Sequence, residues 1–207
     1  KYQNQYELMK EVFPIADTVL AGHPYRGIFW VVWGEANLFT SRYTEALNIL
    51  EEAKEIQFKA LGDQHFEYGR ALNSLATALR QVGQYNKALP MQEEAVSLFE
   101  KFVGLSNQTT LIGVGNLAIL YIEMGEVDKA FTLFERILQE MKAQFGEKNF
   151  DYINQQINYT SFLYENGFSQ KAAAEARELE KTYRTGYDTV SVSYGRILDA
   201  LGVTYNS

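Results

Sequence analysis

Cysteine is absent from all 207 residues, which removes thiol nucleophiles, disulfide frameworks and thiolate metal sites together and fits a reducing compartment. Histidine is nearly absent too, with only His23 and His65, so any histidine-based catalysis or metal binding rests on those two. Basic residues are the minority, 19 against 26 acidic, and the net charge of −7 leaves no broad cationic footprint for phosphate neutralisation. Nucleic acid is therefore not an expected partner. Long hydrophobic runs are missing: the longest, GIFWVVWG at 27–34, falls far short of the roughly 20 apolar residues that span a bilayer. No basic-then-apolar leader follows Lys1. These absences predict a soluble cytoplasmic chain without membrane contact, and a start at Lys1 rather than Met points to a piece of a longer protein. With 46% apolar residues the chain has enough to bury a continuous core.

What the sequence does contain is a period. GQYNKAL at 83–89, GEVDKAF at 125–131 and GFSQKAA at 167–173 share one skeleton, and SRYTEAL at 41–47 stands one step upstream with Ser41 in the glycine slot. Each step is 42 residues without insertion or deletion. The period divides the chain into a preceding helix at 1–23, units at 24–65, 66–107, 108–149 and 150–191, and a half-unit at 192–207, read as a single domain of 1–207. Gly34, Ala76, Ala118, Thr160 and Gly202 occupy one small-residue slot, and Ala46, Ala88, Ala130 and Ala172 occupy another twelve residues on. Small side chains on both helices of a hairpin let two backbones approach to the short end of the usual spacing, about 8 Å.

Large apolar residues fill complementary slots: Trp30, Leu72 and Val114 one turn before the small position, and Trp33, Leu75, Leu117 and Tyr159 directly before it. Spacings of three and four place them on one helical stripe. Second helices such as EALNILEEAKEIQFKALG repeat the amphipathic pattern, and Gly62, Gly104 and Gly146 supply a left-handed stop. Each unit thus reads as helix, tight turn, longer helix, loop. Pro90 falls in the first turn of its helix, where a missing N–H costs little, whereas Pro14 inside YELMKEVFPIADTVL predicts a kink or break.

The pattern resembles the tetratricopeptide repeat over nearly the whole chain. The family's preferred residues appear as Trp30, Trp33, Gly34, Tyr43, Ala46 and Ala53, and again as Leu75, Ala76, Leu79, Tyr85, Ala88 and Ala95. The 42-residue step, with LNSLATAL at 72–79, GNLAILY at 115–121, ALP at 88–90 and LGDQH at 61–65, is similar to the kinesin-light-chain subtype. The fourth unit departs from it: Thr160 replaces glycine or alanine, Ser169 replaces tyrosine, and Gly186 lies two residues from its expected place. The resemblance implies an all-α fold, a right-handed α-solenoid or superhelix of stacked antiparallel helix-turn-helix repeats.

Candidates for chemistry each meet a simpler explanation. His23 and His65 hold the same loop position one repeat apart, and equivalent points on stacked repeats lie roughly 10 Å apart, too far for one metal ion. They read as loop residues closing the inter-repeat corner. GVG at 113–115 lacks both a preceding strand and the third glycine of a dinucleotide fingerprint. Glu51–Glu52 and Glu93–Glu94 fall on the solvated side of second helices. Although the chain has 14 tyrosines and 13 phenylalanines, Tyr43, Tyr85, Tyr121 and Phe134 sit in packing slots. No catalytic, metal or cofactor residues are assigned, and the chain reads as a non-enzyme.

The inner surface remains. In the resembling family the first helices hold an extended peptide or partner helix, and the corresponding positions here are Ile28, Val31, Val32, Glu35, Leu38 and Phe39 in the first unit. The second contributes Arg70, Asn73, Ser74, Thr77, Arg80 and Gln81, and the third Ile112, Asn116, Ile119, Ile122 and Glu123. Asn154, Ile157, Asn158, Ser161, Tyr164 and Glu165 follow in the fourth, then Arg196 and Asp199 in the half-unit. Ser74, Asn116 and Asn158 stand at one position in successive repeats, and such amides can either grip a peptide main chain or bridge neighbouring helices. Around them run an apolar entrance at Ile28, Val31 and Val32, then Arg70 and Arg80, then Glu123, Tyr164 and Glu165, unless the segment 1–20 covers the apolar end. Family members that bind chaperone tails clamp a terminal carboxylate with lysine and arginine, and the sparse basic positions here disfavour such a tail. The expected function is a protein-protein interaction scaffold that binds a peptide or partner surface in its concave groove. The alternative is a regulatory arm of a larger signalling enzyme, such as a caspase-like protease or sensor kinase, gripping another domain of the same chain.

Overall fold

The protein is seen in a computed structural model, which describes residues 2–23 and 25–186. The terminal half-unit, with Arg196, Asp199 and Gly202, lies outside the described residues. Among the described residues every regular element is an α-helix: α1 (Tyr2–Val19), α2 (Tyr25–Phe39), α3 (Tyr43–Leu61), α4 (Phe66–Gln81), α5 (Tyr85–Val103), α6 (Gln108–Glu123), α7 (Val127–Phe145), α8 (Phe150–Glu165) and α9 (Ser169–Gly186). None of these helices is long and apolar enough to cross a membrane. The all-α class of paired helices implied by the resemblance is what the described residues adopt.

The corners explain the recurring glycines. Gly83, Gly125 and Gly167 take φ of 74°, 80° and 86°, and Ser41 takes 60° in the same slot. At each corner the residue after this one donates its N–H to a carbonyl five residues back: Arg42 to Asn37, Gln84 to Leu79, Glu126 to Tyr121 and Phe168 to Leu163, at 2.8–2.9 Å. That is a Schellman closure, which satisfies carbonyls otherwise orphaned at a helix end. Gly62 and Gly104 do something different from the expected left-handed stop. Their φ of 78° and 81° is paired with ψ of 176° and 170°, a region open essentially to glycine alone, so the chain leaves the helix extended rather than curled.

Helix starts follow the period as well. His23 Nδ1 accepts from the Tyr25 N–H at 3.2 Å and His65 Nδ1 from Glu67 at 3.1 Å. The Oδ1 atoms of Asn107 and Asn149 accept from Thr109 and Asp151, each at 2.9 Å. These four residues, spaced 42 apart, cap the first helices of successive repeats, and the two histidines are absorbed by that role.

By their contacts the described residues form two compact units, divided between Ala130 and Phe131. In the first, α1 packs on α2, α2 on α3 and α4, α3 on α4, α4 on α5, and α5 on α6. Ala46, Ala88, Ala53 and Ala95 are fully buried in these contacts. A Cβ on Gly34 would lie 2.4 Å from Leu50, so the slot admits nothing larger without displacing that buried side chain. Helix α1 runs unbroken through Pro14, contrary to the expected interruption. Aromatic packing holds it: Tyr6 stacks on Trp33 at 5.1 Å between centroids, and Phe13 meets Phe29, Trp30 and Trp33 at 5.1–5.8 Å. Asp17 accepts from Arg26 Nε at 2.7 Å and Trp30 Nε1 at 2.5 Å, and the Arg26 bond holds its carboxyl below the usual carboxylate range. In the second unit α8 packs on α9, and Phe134 meets Tyr159 and Phe162 at 4.9 and 4.6 Å. Thr160 fits the small-residue slot there because its hydroxyl donates to the Gln156 carbonyl at 2.9 Å and stays buried.

Gly34→Ala should destabilise the chain by about 1–3 kcal/mol through overpacking. Gly115→Ala, whose Cβ meets nothing within 4 Å, should be neutral or stabilising by up to about 1 kcal/mol, as read by chemical denaturation. Because the Asp17 pKa is lowered in the folded state, its contribution to stability is complete above the unfolded carboxylate value and lost as pH falls through the folded one. Acid titration below about pH 4 should therefore red-shift tryptophan emission as α1 loosens, and Asp17→Asn should show the shifted emission already at neutral pH.

Candidate functional site

The candidate site lies on first helices, each of which presents one face to its second helix and leaves another uncovered. Within the first unit, α2, α4 and α6 together form a groove of about 410 Å³. Its lining is Glu35, Leu38 and Phe39 from α2, Tyr43 from α3, Asn73, Ser74, Thr77 and Gln81 from α4, and Ile112 and Asn116 from α6. Among the described residues none of α1 lines it, and α1 packs through Phe13 on Trp33 of α2. Phe39 and Ile112 are 63% and 52% exposed, and with half-buried Leu38 they give apolar walls on α2 and α6, the helices that flank the polar side chains of α4.

The polar floor is internally organised. Ser74, only 3% exposed, donates to Glu35 Oε1 at 2.7 Å and ties α4 to α2. Asn116 Nδ2 donates to Asn73 Oδ1 at 3.2 Å, tying α6 to α4. The same Asn73 oxygen accepts from Gln92 Nε2 at 2.8 Å, and Gln92 Nε2 also donates to the Gly113 carbonyl at 3.1 Å. Of the two roles foreseen for the amides, helix bridging is therefore in place at Asn116. Thr77 turns its hydroxyl back to the Asn73 carbonyl at 2.9 Å.

The remaining expected residues are distributed as follows. Arg70 pairs with Glu67 at 3.1 Å and Arg80 with Glu123 at 2.7 Å, so both arginines enter ion pairs, the second of which links α4 to α6. Ile119 and Ile122 are half-buried on α6, outside the groove lining. Val31 is fully buried against Ala53 and Ala71, whose small side chains admit it between helices, so the apolar entrance reduces to Ile28 and Val32. In the second unit Ile157 is buried in the same way, while Asn158, Tyr164 and Glu165 are exposed. Asn158 Nδ2 donates to Gln155 Oε1 at 3.4 Å, and Ser161 donates to the Ile157 carbonyl at 3.0 Å.

Two contributors were not anticipated. Tyr43 reaches the groove from the start of a second helix. Gln92 supports it from the core, and its signal was a polar residue in a slot held elsewhere by Leu50 and Phe134. The acidic clusters are exposed as expected, and Glu93 additionally accepts from the Tyr121 hydroxyl at 2.5 Å. Burial, reinforced by that carboxylate, pushes the Tyr121 pKa well up. Among the described residues no group of histidine, aspartate and glutamate is arranged to hold a metal ion.

Residues 27–101 match the tetratricopeptide repeat family. The chain is 27% identical over 135 residues to the Arabidopsis thaliana protein Kinesin light chain-related 2, covering 65% of this chain and 20% of that protein. It is 26% identical over 114 residues to the protein clueless of Drosophila persimilis, covering 55% of this chain and 8% of that one. The chain therefore spans a small part of the length of these relatives. A crystal structure of kinesin light chain TPR-like repeats from Podosopora anserina superposes with a TM-score of 0.72 at 24% identity, covering 87% of this chain and 86% of that one. The helical pairs, the 42-residue step and these matches agree: residues 27–101 carry the tetratricopeptide repeat, and the described residues share the fold of the kinesin light chain TPR-like repeats.

Proposed function

We propose that the chain is a non-enzymatic scaffold that binds an extended segment of a partner protein along the groove of α2, α4 and α6. The observation that carries this reading is the pairing of apolar walls, exposed Phe39 and Ile112 with half-buried Leu38, with a floor of amides and hydroxyls on α4. An extended peptide alternates main-chain donors and acceptors and sends successive side chains to opposite sides. Amides satisfy the first feature with little demand on sequence, and the apolar wall selects a large aliphatic or aromatic side chain. The arginines most suited to gripping acidic groups already hold Glu67 and Glu123, which disfavours strongly acidic ligands.

Selection of short displayed peptides on the wild-type chain should return sequences with large apolar side chains. Ile112→Glu should then weaken the selected peptides by at least about tenfold, while thermal unfolding stays unchanged because Ile112 is 52% exposed. Wild-type affinity in that variant would count against the groove.

A further inference from the structure

Gln92 lies on α5, a second helix, and is 1% exposed in the slot where the neighbouring repeats bury Leu50 and Phe134. A buried amide in an apolar slot costs stability unless its hydrogen bonds are made. Its nitrogen makes two, to Asn73 Oδ1 at 2.8 Å and to the Gly113 carbonyl at 3.1 Å. The second contact fixes the first. A main-chain carbonyl only accepts, so the Gln92 atom facing Gly113 is the nitrogen; the Asn73 atom facing that nitrogen must then be oxygen. Asn116 in turn presents its nitrogen to the same oxygen, at 3.2 Å. Orientation thus passes from the α6 backbone through Gln92 to both groove asparagines. Gly113 permits the approach, since a Cβ there would come within 3.1 Å of Phe99 and 3.3 Å of Val96 on α5.

We propose that Gln92 is a positioning residue for the groove: it locks Asn73 and Asn116 so that Asn73 Nδ2 is offered to a ligand as donor and Asn116 Oδ1 as acceptor. This rests on the groove reading above and sharpens its ligand class. The locked pair meets one main-chain carbonyl and one main-chain N–H of an extended peptide, and so sets the peptide's direction as well as its affinity. Nothing in the slot's packing calls for a polar side chain, because Leu50 fills its counterpart one repeat earlier with no exposure.

Gln92→Met, nearly isosteric and apolar, tests this, with Gln92→Leu as the second variant should the first fold poorly. The probe is the set of displayed peptides selected on the wild-type chain. The variant should unfold no earlier than wild type, yet bind those peptides about tenfold more weakly. On an Asn73→Ala background the same change should have no further effect on binding. In nitrogen-edited NMR spectra of the free chain, the Asn73 side-chain amide pair should lose its distinct shift. Peptides that are lost with Ile112→Glu but unaffected by Gln92→Met would overturn the positioning role and leave the groove standing. Selected peptides insensitive to both changes would overturn the groove and this role together.

Discussion

Gly34 would place a Cβ 2.4 Å from Leu50, and the corresponding slots at Ala76, Ala118 and Thr160 are each no more than 2% exposed. Close approach of the two helix backbones within a hairpin is the constraint behind this, and the rest follows from it. Once first and second helices touch so tightly, large residues directly beside the small slot, Leu75, Leu117 and Tyr159, go to the core. The Schellman corners then leave little freedom in how one helix follows the next. Uncovered faces are left on the first helices, which is where a groove can form.

Polar chemistry in the first unit is arranged on that same framework. Three side-chain contacts join first helices of adjacent repeats: Ser74 to Glu35, Asn116 to Asn73, and Arg80 to Glu123. Each sits on or beside the groove and spans 39 to 43 residues of sequence, so the repeat stacking itself brings the partners together. The outcome is a floor whose hydrogen-bonding groups are partly committed in the free chain. Preorganisation of this sort lowers the ordering cost that binding otherwise incurs.

Features that repeat were legible in the sequence, because packing at one slot imposes the same residue class at every period. The corner glycines, the alanine slots and the helix pairs all belong to this group. Legibility ended where a single side chain decides. Val31 and Ile157 lie near the boundary between the inner face and the core, and a small rotation of the helix settles which side takes them. Pro14 argues locally for a break, but Phe13 and Tyr6 are packed on Trp30 and Trp33, and tertiary contact prevails over the lost hydrogen bond. The inner positions of the second repeat could be written down from the resemblance, yet the link from Asn116 to Asn73 depends on a distance that no linear spacing states. Gln92 was visible only as a polar residue in an apolar stripe. His65 was visible only as a loop residue, and its use as a helix cap emerges from its Nδ1 and the Glu67 N–H.

Nitrogen-edited NMR titration of the labelled chain with a selected peptide tests the central claim most directly. The account predicts that shift changes concentrate on Leu38, Phe39, Asn73, Thr77, Ile112 and Asn116, including the side-chain amides of the two asparagines. Changes confined to the exposed faces of α3 and α5, around Glu51, Glu52 and Glu94, would contradict it.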